Sequence, residues 1–310
     1  ACCREKWFKF DGCGKIIRKW REKLKESIVY FTKNITPEKV IDIYNAVGRK
    51  LTGKVAVKLH SGEVGNQNFI RPEFWKPIIE KLNGTVVECN TAYEGSRNTT
   101  EKHKKTLEQH GWNKYFKVDL MDENGDVALE IPNGKIIKQN FVGKDMLNYD
   151  SMLVLSHFKG HPMGGFGGAL KNISIGIASS HGKMNIHGAG DPTTWTDNHN
   201  AFLEAMADAS KSIVDFWKDK IVYINVMKNM SVDCDCCAVA EDPKIADIGI
   251  LASTDPVALD QACVDLVYAS NDPGKKHLIE RIESRNGIRT VKAAAALGVG
   301  SRKYKLVSID

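Results

Sequence analysis

The chain lacks most of the features that assign a protein quickly. No apolar run approaches the length of a membrane-spanning helix, and the first residues contain no apolar signal core. Its 310 residues contain only nine prolines and eight cysteines, too few for a proline-rich or disulfide-stapled chain. Glycines are frequent, yet none precedes Lys-Ser or Lys-Thr as a nucleotide P-loop requires, and no G-x-G-x-x-G run exists. The charge is only mildly positive, at +6, and it is uneven. Residues 1–26 carry nine Lys/Arg against four acids, which is +5. The other 284 residues carry +1. The body therefore has no basic face suited to nucleic acid.

The N-terminal residues 1–26 read as an extension. Ile16, Ile17, Trp20 and Leu24 share one helical face among basic residues, which predicts a basic amphipathic helix. From Ser27 to Asp310, apolar β-type runs alternate with helical periodicity. Strands are expected at SIVYF, KVAVKLH, GTVVECN, KVDLMD, MLVLSHF, KIVYINVM, IADIGILAST and YKLVSI. Thr36 with Pro37 opens one helix, and Thr254 or Asp255 with Pro256 opens another. VALEI and KIIKQNFV flank Pro-Asn-Gly as a hairpin or a pair of edge strands. This order implies an α/β fold: a mostly parallel, twisted sheet with helices on both faces. Residues 27–310 form it either as one body or as two lobes, 27–150 and 151–310. In such sheets ligands sit on loops at the carboxyl ends of strands. The polar loops His60 to Asn68 and Asn90 to Thr100 are placed there.

The stretch from Ser156 to Asp191 concentrates the chemistry. Four of the nine histidines lie in it: His157, His161, His181 and His187. Gly164, Gly165, Gly167 and Gly168 let the backbone approach a ligand. Lys171 follows at an expected helix start, where free N–H groups favour an anion near Gly167 to Leu170. Imidazoles ligate borderline metals or move protons near neutral pH. His161 and His187 are the strongest candidates for either role, His157 reads as a further metal ligand or as a buried, hydrogen-bonded residue, and the four glycines with Lys171 form a candidate cofactor-binding segment. A second cluster, Cys234, Cys236 and Cys237, suits a transition metal (nickel, zinc or iron) or an iron–sulfur cluster. Its spacing is that of neither doubled C-x2-C zinc ligands nor the ferredoxin run. Cys263 falls in an apolar helix and reads as core. Glu63, Glu88, Glu94 and Asp191 stand near the same loops, as ligands, bases or solvated groups. The leading expectation is a cytoplasmic metal- or cluster-binding protein with redox or metal-assisted chemistry on a small, anionic molecule. A redox partner or a homo-oligomer is compatible with it. An enzyme with a lysine-anchored organometallic cofactor and a metal-free anion-binding module are the alternatives.

Six segments carry a resemblance: VAVKLHSGE, ECNTAYEGSRNTT, VLSHFKGHPMGGFGGALKN, IGIASSHGK, SVDCDC and LASTDPVALDQA. Together they resemble the domain of unknown function 362 family, from about Ser27 to Asp310. Several members of that family carry a ferredoxin-like insertion and are described as iron–sulfur proteins. This chain has only the Cys234–Cys237 loop in its place. A more distant likeness is to the first domain of nickel-pincer lactate racemases. That likeness implies Lys171 as the anchor of an organic pincer, His187 as the nickel ligand and His161 as the proton carrier. The racemase pattern has a further histidine on the loop after the third strand, where this chain has Arg97.

Overall fold

The computed structural model describes residues 26–310. The amphipathic helix expected within residues 1–26 lies outside the described residues.

Strands appear where β-branched and aliphatic residues run without a break. β1 (Ser27–Thr32), β2 (Val55–Lys58), β3 (Thr85–Glu88), β4 (Val118–Leu120), β7 (Ser151–His157), β10 (Ile221–Met227), β11 (Gly249–Ser253) and β12 (Tyr304–Ser308) form one sheet. Its order is β12-β1-β11-β10-β7-β2-β3-β4. β4, β3, β2, β7 and β10 are mutually parallel. β11 pairs antiparallel with both β10 and β1, so it alone runs against the rest. β5 (Asp126–Glu130) and β6 (Gln139–Gly143) make a separate antiparallel ribbon, as the Pro-Asn-Gly signal predicts. β8 (Lys159–His161) and β9 (Gly165–Gly167) make another.

The helices are α1 (Pro37–Val47), α2 (Pro72–Lys81), α3 (Thr100–Gln109), α4 (Ala169–Ser174), α5 (Ser180–His187), α6 (His199–Trp217), α7 (Pro256–Ala269), α8 (Lys275–Ser284) and α9 (Ile288–Ala296). Their starts follow local chemistry. Thr36 accepts the N–H of Lys39 and Asp255 those of Val257 and Ala258, so each satisfies donors the first turn leaves free. No described helix is long and apolar enough to cross a membrane.

Central strands are buried on both faces, which explains their unbroken apolar runs. Val40, Ile43, Trp75 and Ile78 of α1 and α2 pack with Leu153, Leu155, Val222 and Ile224 on one side. Val154, Tyr223 and Leu251 face Leu170, Val257 and Ala262 of α4 and α7 on the other. The chain moves from β2 outward to β3 and β4, then returns to set β7 on the other side of β2. That reversal opens a crevice beyond the carboxyl ends of β2 and β7, the position where open α/β sheets take ligands. Val55 pairs with Ser151, so residues before and after 150 share the sheet that frames it.

Candidate functional site

A cavity of about 280 Å³ occupies this crevice. His60 follows β2, Glu88 ends β3 and His157 ends β7. The β8–β9 hairpin, α4 and α5 bring His161, Lys171 and His187 to the same wall. The three residues singled out by their order in the sequence do converge.

The glycine run is a hairpin with a packed exterior. His161 pairs with Gly165 and Lys159 with Gly167. Gly165 has φ +78°, and a side chain there would meet Gly287 at 2.7 Å. Gly160 abuts the Val232 backbone and Gly168 abuts Asp260. Gly167 and Gly168 reach the cavity; Gly164 and Gly165 shape the turn behind it. The expected anion seat at the start of α4 is already filled. Asp260, from α7, accepts the N–H of Ala169 at 2.8 Å and of Leu170 at 2.9 Å. Asn225 donates to the same carboxylate at 2.8 Å. Burial pushes the Asp260 carboxyl up to about 6 despite these bonds. A carboxylate supplied 90 residues away was not legible from the local pattern, and it corrects the placing of a ligand on those N–H groups.

Ion pairs sort the charges around the cavity. Lys58 Nζ lies 2.8 Å from Glu88, both buried in the sheet. Arg97 Nε lies 3.0 Å from Glu63, and its guanidinium reaches Tyr93 Oη at 3.3 Å. Glu63 and Glu88 are thus buried counter-ions, whereas Glu94 and Asp191 are exposed. Asp235, between the cysteines, lies 3.0 Å from Lys159 Nζ and 2.9 Å from His157 Nδ1. His157 Nε2 meets the carbonyl of Lys228 at 2.5 Å. Both nitrogens of His157 therefore face protein acceptors, and neither is left for a metal. Two cations remain without a carboxylate. Lys183 Nζ donates to the Ala178 carbonyl at 2.6 Å, and Lys171 has no side-chain partner among the described residues. Burial lowers the Lys183 ammonium below its ordinary value. The cavity accordingly offers positive charge to an anionic ligand.

His187 is clamped between Trp195 (4.4 Å, 17°) and Phe202 (4.7 Å, 11°). Its Nδ1 is buried without a partner. Burial, then Lys171 and Lys183, lower its imidazole to about 3, so the ring is neutral and able to ligate. His161 is likewise lowered to about 4, by burial and then by Lys171. Its Nε2 stands 3.9 Å from Cys236 Sγ.

Among the described residues, one group of side chains can hold a metal ion: donor atoms of His161, Cys234 and Cys236 lie within 4.8 Å of one another. Cys237, half-buried beside them, is outside this group, as is His187. The Cys236 N–H reaches Cys234 Sγ at 3.4 Å. The hydrogen bond with Cys236, and then burial, push the Cys234 thiol up, with Lys159 and Lys171 opposing. Metal binding there would release its proton. Cys263 is core, as expected, and His181 pairs with Asp126 at 3.2 Å on the β5–β6 side.

His60, Lys159, Lys183 and Asp235 belong to the site but escape a search for local clusters. For His60 the available signal was its position at the end of a strand.

The family described as Domain of unknown function (DUF362) matches residues 55–265. The chain belongs to this family. No curated protein matches it. Among solved structures it is similar to the lactate racemase apoprotein from Thermoanaerobacterium thermosaccharolyticum. That match has 14% identity and a TM-score of 0.40, and covers 91% of this chain and 83% of that one. A protein from Thermotoga maritima is similar at 12% identity and a TM-score of 0.40, over 86% of this chain and 60% of the other. Both are distant likenesses of fold. Within the DUF362 span lie every cavity residue named above and the cysteine loop.

Proposed function

We propose that this cavity is the active site of an enzyme that acts on a small anionic molecule with a lysine-attached, transition-metal-bearing cofactor. One observation carries the reading. The Lys171 amine and the His187 ring line the same cavity, and neither has a side-chain partner among the described residues. A sealed, unpartnered ring nitrogen costs about 1–3 kcal/mol, which a ligated group would offset. The residues present therefore fit such a group. When bound, it would supply Lewis-acid and redox chemistry at the metal.

The protein's own contributions follow from the geometry. Trp195 and Phe202 fix the plane of His187. Lys171 supplies a primary amine, the group from which a covalent attachment is made. Lys183 attracts the anionic group of the ligand. Lys159 is held by Asp235 and is a poor candidate for either role. Intact mass and elemental analysis of protein from its native host test the proposal. The expected result is an adduct absent from Lys171→Ala, and nickel, zinc or iron lost in His187→Ala. An unmodified Lys171 with no bound metal refutes it.

A second reading rests on a different observation, the proximity of His161, Cys234 and Cys236. It places a zinc or iron ion on the two thiolates, with His161 as third ligand. Under this reading Cys234→Ser with Cys236→Ser removes the metal, while the mass at Lys171 is that of the bare chain.

A further inference from the structure

Three stretches of chain line the cavity, and each changes character in the same direction from mouth to floor. The first is the loop after β3. Ala92 and Tyr93 on it are half-buried, whereas Arg97, four residues past Tyr93, is 2% exposed. The second is the β8–β9 hairpin. Pro162 and Met163 form its half-buried turn, whereas Lys159, paired with Gly167 at the other end, is 5% exposed. The third is α5 with the segment after it. Trp195 is 39% exposed and stacks on His187, which is 7% exposed. Lys183, one helical turn back on the same face, is 6% exposed. On three separate walls, apolar side chains stand at the opening and a cation stands at the buried end.

The cations gather at one place. A side chain at Gly167 would come within 3.6 Å of Lys159 Nζ and 3.7 Å of Lys171 Cδ, so both lysines pass over that glycine. Lys171 and Lys183 both act on the His187 ring. Glu63 answers Arg97 and Asp235 answers Lys159, which leaves Lys171 and Lys183 in excess on the floor. At the mouth the imbalance is of another kind. Trp195 gives one face to His187 and keeps more than a third of its surface open, and apolar surface held in water is unfavourable until something covers it.

We propose that the ligand of this cavity is an amphiphilic anion, with its charged group on the lysine floor and an aromatic body in the mouth against Trp195 and Met163. The proposal rests on the anionic ligand assigned to this cavity above, and not on the cofactor. An acid of one or two carbons satisfies the floor and leaves the mouth wet. A ring attached to the acid removes the apolar mouth from water, and stacking on the indole adds to that gain. Trp195 and Met163 are then specificity-determining residues, while Lys183 serves every anion alike.

Ligand-observed NMR titration of the full chain at pH 7 compares acetate, phenylacetate and phenylacetamide, with intact mass recorded to establish that Lys171 is unmodified. Phenylacetate should bind about tenfold more tightly than acetate, the lower end of what burial of a phenyl group contributes. Phenylacetamide, which has the ring without the charge, should bind about tenfold more weakly than phenylacetate. Trp195→Ala and Met163→Ser should each cut the preference for phenylacetate over acetate by about threefold and leave acetate unmoved. Lys183→Met should weaken the two acids by equal factors and leave the amide unmoved. Equal affinity for the two acids, an amide that binds as well as its acid, or a preference that survives both mouth substitutions overturns the proposal. If the variants do not fold, the three ligands on the wild-type protein decide alone. Binding of neither acid would bring down the anionic-ligand reading as well. An unmodified Lys171 in protein from its native host would sink the cofactor reading without touching these ratios.

Discussion

Asp235→Asn removes one charge from a group of three that water does not reach. Asp235 sits against His157 and Lys159 at 2.9 and 3.0 Å, and all three side chains are more than 90% buried. Its backbone carbonyl also accepts the N–H of Glu63 at 2.8 Å, tying the cysteine loop to the loop after β2. The asparagine matches the carboxylate in size and keeps one acceptor oxygen, but its amide N–H₂ turns toward another donor. Breaking a buried pair by removing one partner costs about 3–5 kcal/mol, here the pair with Lys159, and the same carboxylate also faces His157 Nδ1. With a urea dependence of about 3 kcal/mol per molar, the unfolding midpoint should fall by about 1 to 1.7 M. Circular dichroism against urea at pH 7 measures it. The double variant His157→Asn/Asp235→Asn should lose less than the sum of the two single variants, with a coupling of about 0.5–3 kcal/mol. A midpoint loss worth under about 1 kcal/mol, or strict additivity, would refute the claim that this triad pins the loop over the cavity.

Three further outcomes are expected. Gly160→Ala drives a methyl group into the Val232 backbone and should cost about 1–3 kcal/mol or more in thermal or urea unfolding, while Gly125→Ala, with open space around it, tests only the strain of its φ of +98°. Burial alone would raise the Glu88 and Asp235 carboxyls, but Lys58 holds the first, and His157 with Lys159 the second, below the usual range. Depressed folded values mean stability that is present above the unfolded value of about 4 and lost below it. The buried neutral imidazoles of His161 and His187, lowered to about 4 and about 3, add a loss that begins below the unfolded histidine value of about 6.5. Urea midpoints should therefore fall already from pH 7 to 5 and further toward pH 3. Replacing Cys234 and Cys236 together by serine should abolish any metal bound by the thiolates, read by elemental analysis, with the far-ultraviolet spectrum unchanged.

Much of the fold is written locally. Thr36-Pro37 and Asp255-Pro256 open the helices they mark, and the runs MLVLSH and IVYINVM are the two central strands because both of their faces are buried. The convergence of His161, Lys171 and His187 was also legible, since all three come from one stretch. What escaped depends on distant partners. Lys58 looks like a polar position in an alternating strand until Glu88, 30 residues on, is placed beside it by β2–β3 pairing. His157 looks like a ligand until Asp235 and Lys228 take both of its nitrogens. The glycines before α4 look like an anion cradle until Asp260 fills it. In each case a local motif has the right residue types, and the tertiary structure assigns them another partner.

The single reversed strand, β11, has a consequence for how this site tolerates change. Because β11 runs away from the cavity edge, α7 starts at the far rim of the sheet, at Asp255, and returns over the core to deliver Asp260 beneath the start of α4. The helix is a ruler with its zero at that rim, and Asp260 lies about 7.5 Å along it, over Asn225 in the body of β10. Each residue along it turns the side chain by about 100°. A deletion of one residue between Asp255 and Asp260 would leave every cavity residue in the chain and still point the carboxylate away from α4. Variation in length among related chains should therefore be scarce in the four residues between those two aspartates.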